Sequence, residues 1–200
     1  MEYLILSFLL GSIPTGYILV LLSGKGDIRK FGSKNIGATN VLRHSGKLFG
    51  LLTFLLDFFK GFIPVIYYIY FEPDIHMFPQ TYMLMIGAAT ILGHIYSPWL
   101  NFKGGKGVAT TLGVVLAILG SSSQLKIFIL VLLVWLFIVF FTKYVALGSV
   151  VSLVFLVFYS YFFLNDYFLF FLLITILISY KHKENFERIR KKKEHKINFL

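Results

Sequence analysis

The stretch G-S-K-N-I-G-A-T-N-V-L-R, residues Gly32 to Arg43, is a polar segment that lies between two long apolar runs. Its twelve residues include two Gly, one Ser, two Asn, one Thr, one Lys and one Arg. Successive N–H groups in turns of this kind form concavities that bind anions. A guanidinium group binds phosphate through paired hydrogen bonds. The stretch therefore predicts an oxyanion pocket, with a solvated loop at the edge of a membrane as the alternative.

The apolar runs around this stretch decide the fold class. The chain is 58% hydrophobic and 14% charged, whereas soluble domains carry about 25% charged residues. Backbone groups find no hydrogen-bond partners in lipid, so each run must be helical. We predict an all-α, polytopic membrane helix bundle of about seven transmembrane helices, which forms a single domain over residues 1–200. The predicted segments are about 3–22, 48–71, 80–99, 108–120, 125–141, 145–164 and 167–180.

The basic residues predict the orientation of these helices. All but two of the 19 Lys and Arg lie in the first loop, the third loop, at Lys143 or in the tail from Lys181. Seven crossings place these four regions on one side, and the opposite loops carry Glu72, Asp74 and Asp166. Because basic loops stay in the cytoplasm, we expect the N-terminus outside and the C-terminus in the cytoplasm.

Two ionisable residues lie inside the second apolar run. Asp57 and Lys60 are three residues apart, so they share a helix face and can pair. Ionisable groups within a span usually face a cavity or the bundle interior. Asp57 is open to either a structural or a substrate-binding role, and we assign Lys60 to substrate binding.

A second Gly-rich loop, Lys103-Gly104-Gly105-Lys106-Gly107, leads directly into the fourth apolar segment. The free N–H groups and the dipole at a helix start both favour an anion there. The spacing differs from a Walker A motif, so we do not infer ATP. We interpret the nearby His94 as a buried core histidine. A third polar group, His182, Asn185 and Arg188, follows the last apolar segment at a spacing that places it on one helix face.

These motifs together resemble the bacterial PlsY family, whose members are membrane glycerol-3-phosphate acyltransferases that use acyl phosphate. The resemblance runs from residue 11 to about 190 and keeps the family's order. One departure is Lys34, where family members often carry Gly. The matching stretches are G-S-I-P-T-G-Y from Gly11, the Gly32–Arg43 stretch, D-F-F-K-G from Asp57, G-G-K-G-V-A-T from Gly104, and H-x-x-N-x-x-R from His182.

The resemblance implies an active site that synthesises lysophosphatidic acid from glycerol 3-phosphate. The residues it implies are Ser33, Asn35, Thr39, Asn40, Arg43, Lys106, His182 and Asn185. From the loops themselves we add Gly32, Gly37, Gly104, Gly105 and Gly107 as substrate-binding residues, together with Lys60. We assign catalytic roles to Ser33, Arg43, Lys106 and His182, and substrate binding to the others.

The donor is expected to be a mixed anhydride. Its phosphate leaves readily, so the reaction needs no acyl-enzyme, and either His182 or the donor phosphate can take the proton. No His is followed by Asp five residues later, which argues against acyl-CoA or acyl carrier protein as donor. The chain has no cysteine, and we expect no metal or cofactor.

The expected partners are acyl phosphate, glycerol 3-phosphate and the lipid bilayer, without nucleic acid. We expect a monomer in the bacterial cytoplasmic (inner) membrane, with its active site facing the cytoplasm. The alternative function is a membrane transporter or channel for phosphate or a lipid phosphate, for which broken helices and charges near the midplane would be suitable.

Overall fold

The apolar runs form helices throughout the part of the chain that the structure describes. The computed structural model describes residues 1–72 and 77–197, so Asp74 lies outside the described residues. The chain divides into two compact units, Met1–Ser121 and Ser122–Leu200. The helices of the first unit are α1 (Glu2–Ser12), α2 (Thr15–Leu22), α3 (Ala38–Ser45), α4 (Lys47–Phe71), α5 (Pro79–Ile95) and α6 (Val108–Ser121). Those of the second are α7 (Leu125–Thr142), α8 (Val145–Phe163), α9 (Asn165–Lys181) and α10 (Lys183–Arg190).

Five helical segments of the described chain are long and apolar enough to cross a membrane. They are Glu2–Leu22, Lys47–Phe71, Pro79–Leu100, Leu125–Thr142 and Val145–Phe163. The predicted fourth and seventh segments are also helical, but α6 has 14 residues and α9 has 17. The all-helical membrane fold is therefore confirmed, while seven crossings and their orientation stay predictions.

The first span is broken at Ile13 and Pro14. Helix α1 ends at Ser12 and α2 begins at Thr15, because proline lacks the N–H group that a continuous helix would need there. The carbonyl of Ile13 accepts hydrogen bonds from the Thr15 N–H group at 3.0 Å and from Lys60 Nζ at 2.9 Å. A side chain from α4 thus stabilises the break.

Four polar residues meet at this break and form what we call the Asp57 cluster: Thr15, Asp57, Lys60 and His94. Oδ1 of Asp57 accepts a hydrogen bond from Thr15 Oγ1 at 2.5 Å and lies 2.8 Å from Lys60 Nζ. His94 Nδ1 lies 3.5 Å from the same oxygen. Asp57, Lys60 and His94 are buried. A buried charge needs such partners because leaving one unpaired is strongly destabilising.

Glycines bring the helices of the first unit into close contact. A Cβ at Gly11 of α1 would overlap the backbone of Thr90 in α5, and one at Gly61 of α4 would overlap the backbone of Thr110 in α6. On the facing side of α6, a Cβ at Gly113 would overlap the carbonyl oxygen of Phe58. Small residues at helix contacts are typical of membrane bundles, where association depends on close packing.

The second unit is held by contacts of its own. Helix α8 packs against α7 and α9, and Trp135 Nε1 donates to Ser149 Oγ at 3.3 Å. The tail returns to the turn between α7 and α8, where the Ile197 N–H group donates to the Lys143 carbonyl at 2.9 Å.

Replacing Gly113 by Ala should destabilise the protein by about 1–3 kcal/mol, because the added methyl group meets backbone that cannot move aside. Gly120 lies in the same helix, and a Cβ there would meet nothing within 4 Å. Gly120→Ala is therefore the matched control and should not lower the Tm. Thermal unfolding in detergent measures both variants, and equal Tm values would contradict the close packing of α4 and α6.

Candidate active site

The first polar loop, which leads from the end of α2 into α3 and contains the Gly32–Arg43 stretch, begins with a charged turn that lies against α2. Asp27 accepts a hydrogen bond from the Arg29 N–H group at 2.9 Å, and its carboxylate lies 2.7 Å from the Arg29 guanidinium. The hydrogen bond from the Arg29 side chain lowers the pKa of Asp27. The guanidinium in turn lies over the ring of Tyr17, 4.6 Å from its centroid. This arrangement places a cation beside α2 where the loop starts.

Asn40 holds the first loop together from inside. It is buried, and its Nδ2 donates to the carbonyls of Phe31 and Asn35 at 3.1 and 2.8 Å. Its Oδ1 accepts from the Ser33 N–H group at 3.1 Å. Gly32 adopts φ +53°, and a Cβ there would overlap Asn40 Oδ1. We predicted that Asn40 binds substrate, but its contacts in the described chain fix the loop backbone.

Among the other predicted residues of this loop, some fix the backbone as Asn40 does and some have exposed side chains. Asn35 Oδ1 accepts a hydrogen bond from the Gly37 N–H group at 2.9 Å, so both residues contribute to the turn before α3. Ser33 and Thr39 are half-buried and Arg43 is exposed. Thr39 and Arg43 are one turn apart on α3 and share a face. Anion binding by Ser33, Thr39 and Arg43 stays a prediction, and their partial or full exposure is compatible with it.

The second loop lies directly on the end of α5. The N–H groups of Gly104 and Gly105 donate to the carbonyls of Ile95 and His94 at 3.1 and 3.0 Å. A Cβ at Gly104 would overlap the His94 carbonyl oxygen, and one at Gly105 would overlap the His94 ring. These two glycines therefore allow close packing, and their N–H groups are not the anion donors that the loop composition suggested. Lys106 and the first turn of α6, where helix N–H groups lack helical partners, stay the predicted anion-binding part of this loop.

Gly107 completes the turn into α6. It adopts φ +86°, a conformation that residues with a side chain rarely adopt. Behind it, the hydroxyls of Thr110 and Thr111 are buried without a hydrogen-bond partner in the described chain. Such groups are usually completed by water or a ligand. The sequence analysis did not select them, although both lie in the turn that follows Lys106.

The two loops meet on shared supports within the first unit. Leu100, just before the second loop, belongs to the same buried apolar cluster as Ile36 and Val41 of the first. Ser97 Oγ donates to the Ser12 carbonyl at 2.6 Å, and Trp99 Nε1 donates to Ser12 Oγ at 2.8 Å. The break in the first span thus anchors the segment that leads into the second loop.

An apolar cleft runs along the same break. Its volume is about 350 Å³, and its lining is almost wholly apolar. The lining residues are Ile13, Pro14, Tyr17, Ile18, Trp99 and Leu100. The ring of Tyr17 also carries the Arg29 guanidinium, which is paired with Asp27.

Lys60, which we predicted to bind substrate, lies within the Asp57 cluster. It is buried and its Nζ lies between Asp57 Oδ1 and the Ile13 carbonyl oxygen. These partners support a structural role at the break, and substrate binding by Lys60 stays a prediction. Among residues 1–72 and 77–197, no group of three or more His, Cys, Asp or Glu side chains is arranged to hold a metal ion.

The third polar group belongs to the second unit. His182 is buried, and its Nδ1 donates to the Ile178 carbonyl at 2.9 Å. Asn185 Nδ2 and Arg188 Nε both donate to the carboxylate of Glu194, at 2.8 and 2.6 Å. The predicted shared face of Asn185 and Arg188 is confirmed. The sequence analysis missed Glu194, an acidic residue of the basic tail, which holds α10 to the chain that follows it.

The comparisons with known proteins agree with the motifs. The family model described as "Glycerol-3-phosphate acyltransferase" matches residues 1–192. The chain belongs to the glycerol-3-phosphate acyltransferase family. Two relatives carry that name. The protein of Ehrlichia canis is 42% identical over 97% of this chain and 96% of its own length. The protein of Staphylococcus haemolyticus is 42% identical over 98% of this chain and 97% of its own length.

Solved structures of a glycerol 3-phosphate acyltransferase are also similar to this chain. The chain is similar to PlsY (YgiH), an integral membrane glycerol 3-phosphate acyltransferase, in its glycerol 3-phosphate form, with a TM-score of 0.86 and 38% identity over 98% of this chain and 94% of that one. The lysophosphatidic acid form of PlsY gives a TM-score of 0.83 and 36% identity over the same shares. The resemblance to the PlsY family is therefore confirmed, and this glycerol-3-phosphate acyltransferase is an integral membrane acyltransferase.

The departure at Lys34 has a structural consequence in this acyltransferase. Lys34 adopts φ +59°, the left-handed region, in which a Cβ costs about 1–2 kcal/mol. Glycine tolerates this conformation, which gives a physical reason for glycine at this position.

Lys34→Gly should raise the stability of the protein by about 0.5–1 kcal/mol, because relief of the backbone strain exceeds the greater freedom of glycine in the unfolded chain. Lys34→Ala removes the same charge but keeps a Cβ, and should leave the Tm unchanged. Thermal unfolding of both variants separates strain from charge. A Tm that rises equally in both would show that charge, not backbone conformation, is responsible.

Proposed function

We propose that this chain transfers an acyl group from acyl phosphate to a hydroxyl of glycerol 3-phosphate, giving lysophosphatidic acid and phosphate. This is the first acylation step of phospholipid biosynthesis. The observation that carries the proposal is the apolar cleft, whose walls are the segments that anchor the two polar loops. Such a site suits an amphiphilic donor together with a small polar acceptor.

The cleft is the proposed site for the acyl chain. Its volume of about 350 Å³ lies within the range of about 300–1,000 Å³ that ligand pockets occupy. Its residues Ile13, Ile18 and Trp99 are exposed on the surface of the first unit, so a chain dissolved in the bilayer can enter from the side.

The two loops are the proposed sites for the two phosphate groups. Ser33, Thr39 and Arg43 would bind the acyl phosphate and stabilise the phosphate that leaves. Lys106 and the start of α6 would bind the phosphate of glycerol 3-phosphate. The glycerol 3-phosphate and lysophosphatidic acid forms of PlsY support an acceptor and a product of this chemistry.

The proposed reaction requires acyl phosphate and glycerol 3-phosphate to be bound side by side. A hydroxyl oxygen of glycerol 3-phosphate attacks the carbonyl carbon, the bond from that carbon to the phosphate oxygen breaks, and an ester forms. The hydroxyl proton passes to the departing phosphate. Positioning supplies much of the rate because the leaving group needs little help. His182 and Asn185 stay predictions from the motif.

The proposal includes a location. Basic loops are retained in the cytoplasm, and both polar loops are basic, so the active site would face the cytoplasm from the bacterial inner membrane. Because both loops and the cleft lie in one unit of one chain, the proposal needs no second subunit. Membership of an acyltransferase family favours the enzyme over a transporter or channel for phosphate or a lipid phosphate.

The donor can be tested directly with purified protein. We expect lysophosphatidic acid to form from glycerol 3-phosphate and acyl phosphate, with release of inorganic phosphate, and not from acyl-CoA or acyl carrier protein. Product formation from acyl-CoA at a comparable rate would contradict the proposed donor. Flux of phosphate across sealed vesicles without any product would support the transporter instead.

Lys106→Ala should lower turnover at least about a hundredfold, because it removes the charge that holds a substrate phosphate. The protein should remain folded, which elution from a sizing column and the Tm will show. Lys47, an exposed lysine at the start of α4, supplies the control variant Lys47→Ala, which removes the same charge. Near-normal turnover in Lys106→Ala would refute the proposed phosphate site.

A further inference from the structure

His94 fills the space between the buried carboxylate of Asp57 and the second loop. It lies in the last turn of α5 and is 4% exposed. Its Nδ1 lies 3.5 Å from Asp57 Oδ1. On the other side of the ring, Nε2 lies so close to Gly105 that a Cβ on that residue would overlap it. One ring therefore lies against both the Asp57 carboxylate and the backbone of the second loop.

The main chain of His94 supports the same loop. Its carbonyl oxygen accepts the Gly105 N–H group at 3.0 Å, and the neighbouring Ile95 carbonyl accepts that of Gly104 at 3.1 Å. Neither glycine has a side chain that could separate the loop from α5. The ring and the carbonyl of His94 therefore set how far the loop stands from the end of α5, and with it the position of Lys106.

We infer that His94, oriented by Asp57, is a positioning residue for substrate: it holds Gly105 and thereby places Lys106 and the start of α6 for the phosphate of glycerol 3-phosphate. The inference rests on the proposed function, because it takes the second loop to be the site of that phosphate.

A purely structural role for His94 makes a different prediction. Asp57 Oδ1 already accepts a hydrogen bond from Thr15 at 2.5 Å and pairs with Lys60 at 2.8 Å. The contact with His94 is longer, so it adds little to the partners of the carboxylate and mainly orients the ring. A structural role predicts a loss of stability without a selective change in substrate affinity, whereas a positioning role predicts the reverse.

His94→Asn separates the two roles. An asparagine keeps a polar group near the position of Nδ1 and removes the part of the ring that lies under Gly105. We expect KM for glycerol 3-phosphate to rise about tenfold while kcat changes less than about twofold, because the loop loses its support but keeps its chemistry. KM for acyl phosphate should stay at the wild-type value.

Gly105→Ala provides a reciprocal test. In the wild-type background the added methyl group would overlap the His94 ring, so the loop must shift and KM for glycerol 3-phosphate should rise. In His94→Asn/Gly105→Ala the methyl group enters the space that the ring has left. The double variant should therefore have a lower KM than either single variant, which independent effects cannot produce.

Thr90→Val is the matched control. Thr90 lies one turn before His94, is fully buried, and its hydroxyl donates only within α5, to the Ile86 carbonyl at 2.9 Å. It should leave KM for both substrates unchanged. A wild-type KM for glycerol 3-phosphate in His94→Asn, or a change confined to kcat or Tm, would overturn the inference. An unchanged KM in Gly105→Ala would overturn it as well, even if His94→Asn fails to fold.

The failure of the proposed function would look different. If Lys106→Ala keeps near-normal turnover, the second loop is not the phosphate site, and both the proposed function of the loop and the positioning role are wrong. If Lys106→Ala is inactive while His94→Asn keeps its KM, only the positioning role is wrong.

Discussion

A carboxylate buried in a bundle of membrane helices must find donors inside the protein, because lipid offers none. In this acyltransferase that carboxylate is Asp57, and its donors come from other parts of the chain. Thr15 begins α2 on the far side of the proline break, Lys60 lies one turn along α4, and His94 approaches from the end of α5. Because these partners must meet, the positions of α2, α4, α5 and the proline break are fixed relative to each other.

The break at Ile13 and Pro14 then supports both polar loops of the candidate active site. Ser12, on one side of the break, accepts hydrogen bonds from Ser97 and Trp99, which attach the segment leading to the second loop to the break. On the other side, a Cβ at Gly16 would overlap the Ile36 carbonyl oxygen, so α2 lies directly against the first loop. Two polar loops about sixty residues apart in sequence are thus brought onto one support. The apolar cleft lies along this support, where an acyl chain and two phosphates can be held together.

Much of the fold could be predicted from the sequence, because an apolar run in a bilayer must be helical to satisfy its backbone hydrogen bonds. The run predicted from Leu48 is α4, which begins at Lys47, and the short run at Val108 is α6. The polar loops could also be located, since Gly, Ser, Asn and Lys have little to bury. Their inner contacts could not be predicted. Composition does not show that the Asn40 side chain bonds to the backbone of its own loop. It does not show that Gly104 and Gly105 donate hydrogen bonds to α5. Nor does it show that Lys60 donates to the Ile13 carbonyl, 47 residues away. Such pairings depend on which segments the tertiary structure brings together.

The most direct test of this account is hydrogen exchange of the backbone in Asp57→Asn, compared with the wild-type protein in the same detergent. The account predicts that peptides covering residues 28–43 and 103–107 both exchange faster, by about tenfold or more, because both loops lose their common support. Peptides from α8 serve as the internal reference. Faster exchange confined to α4, or to only one of the two loops, would contradict the claim that the Asp57 cluster holds the site.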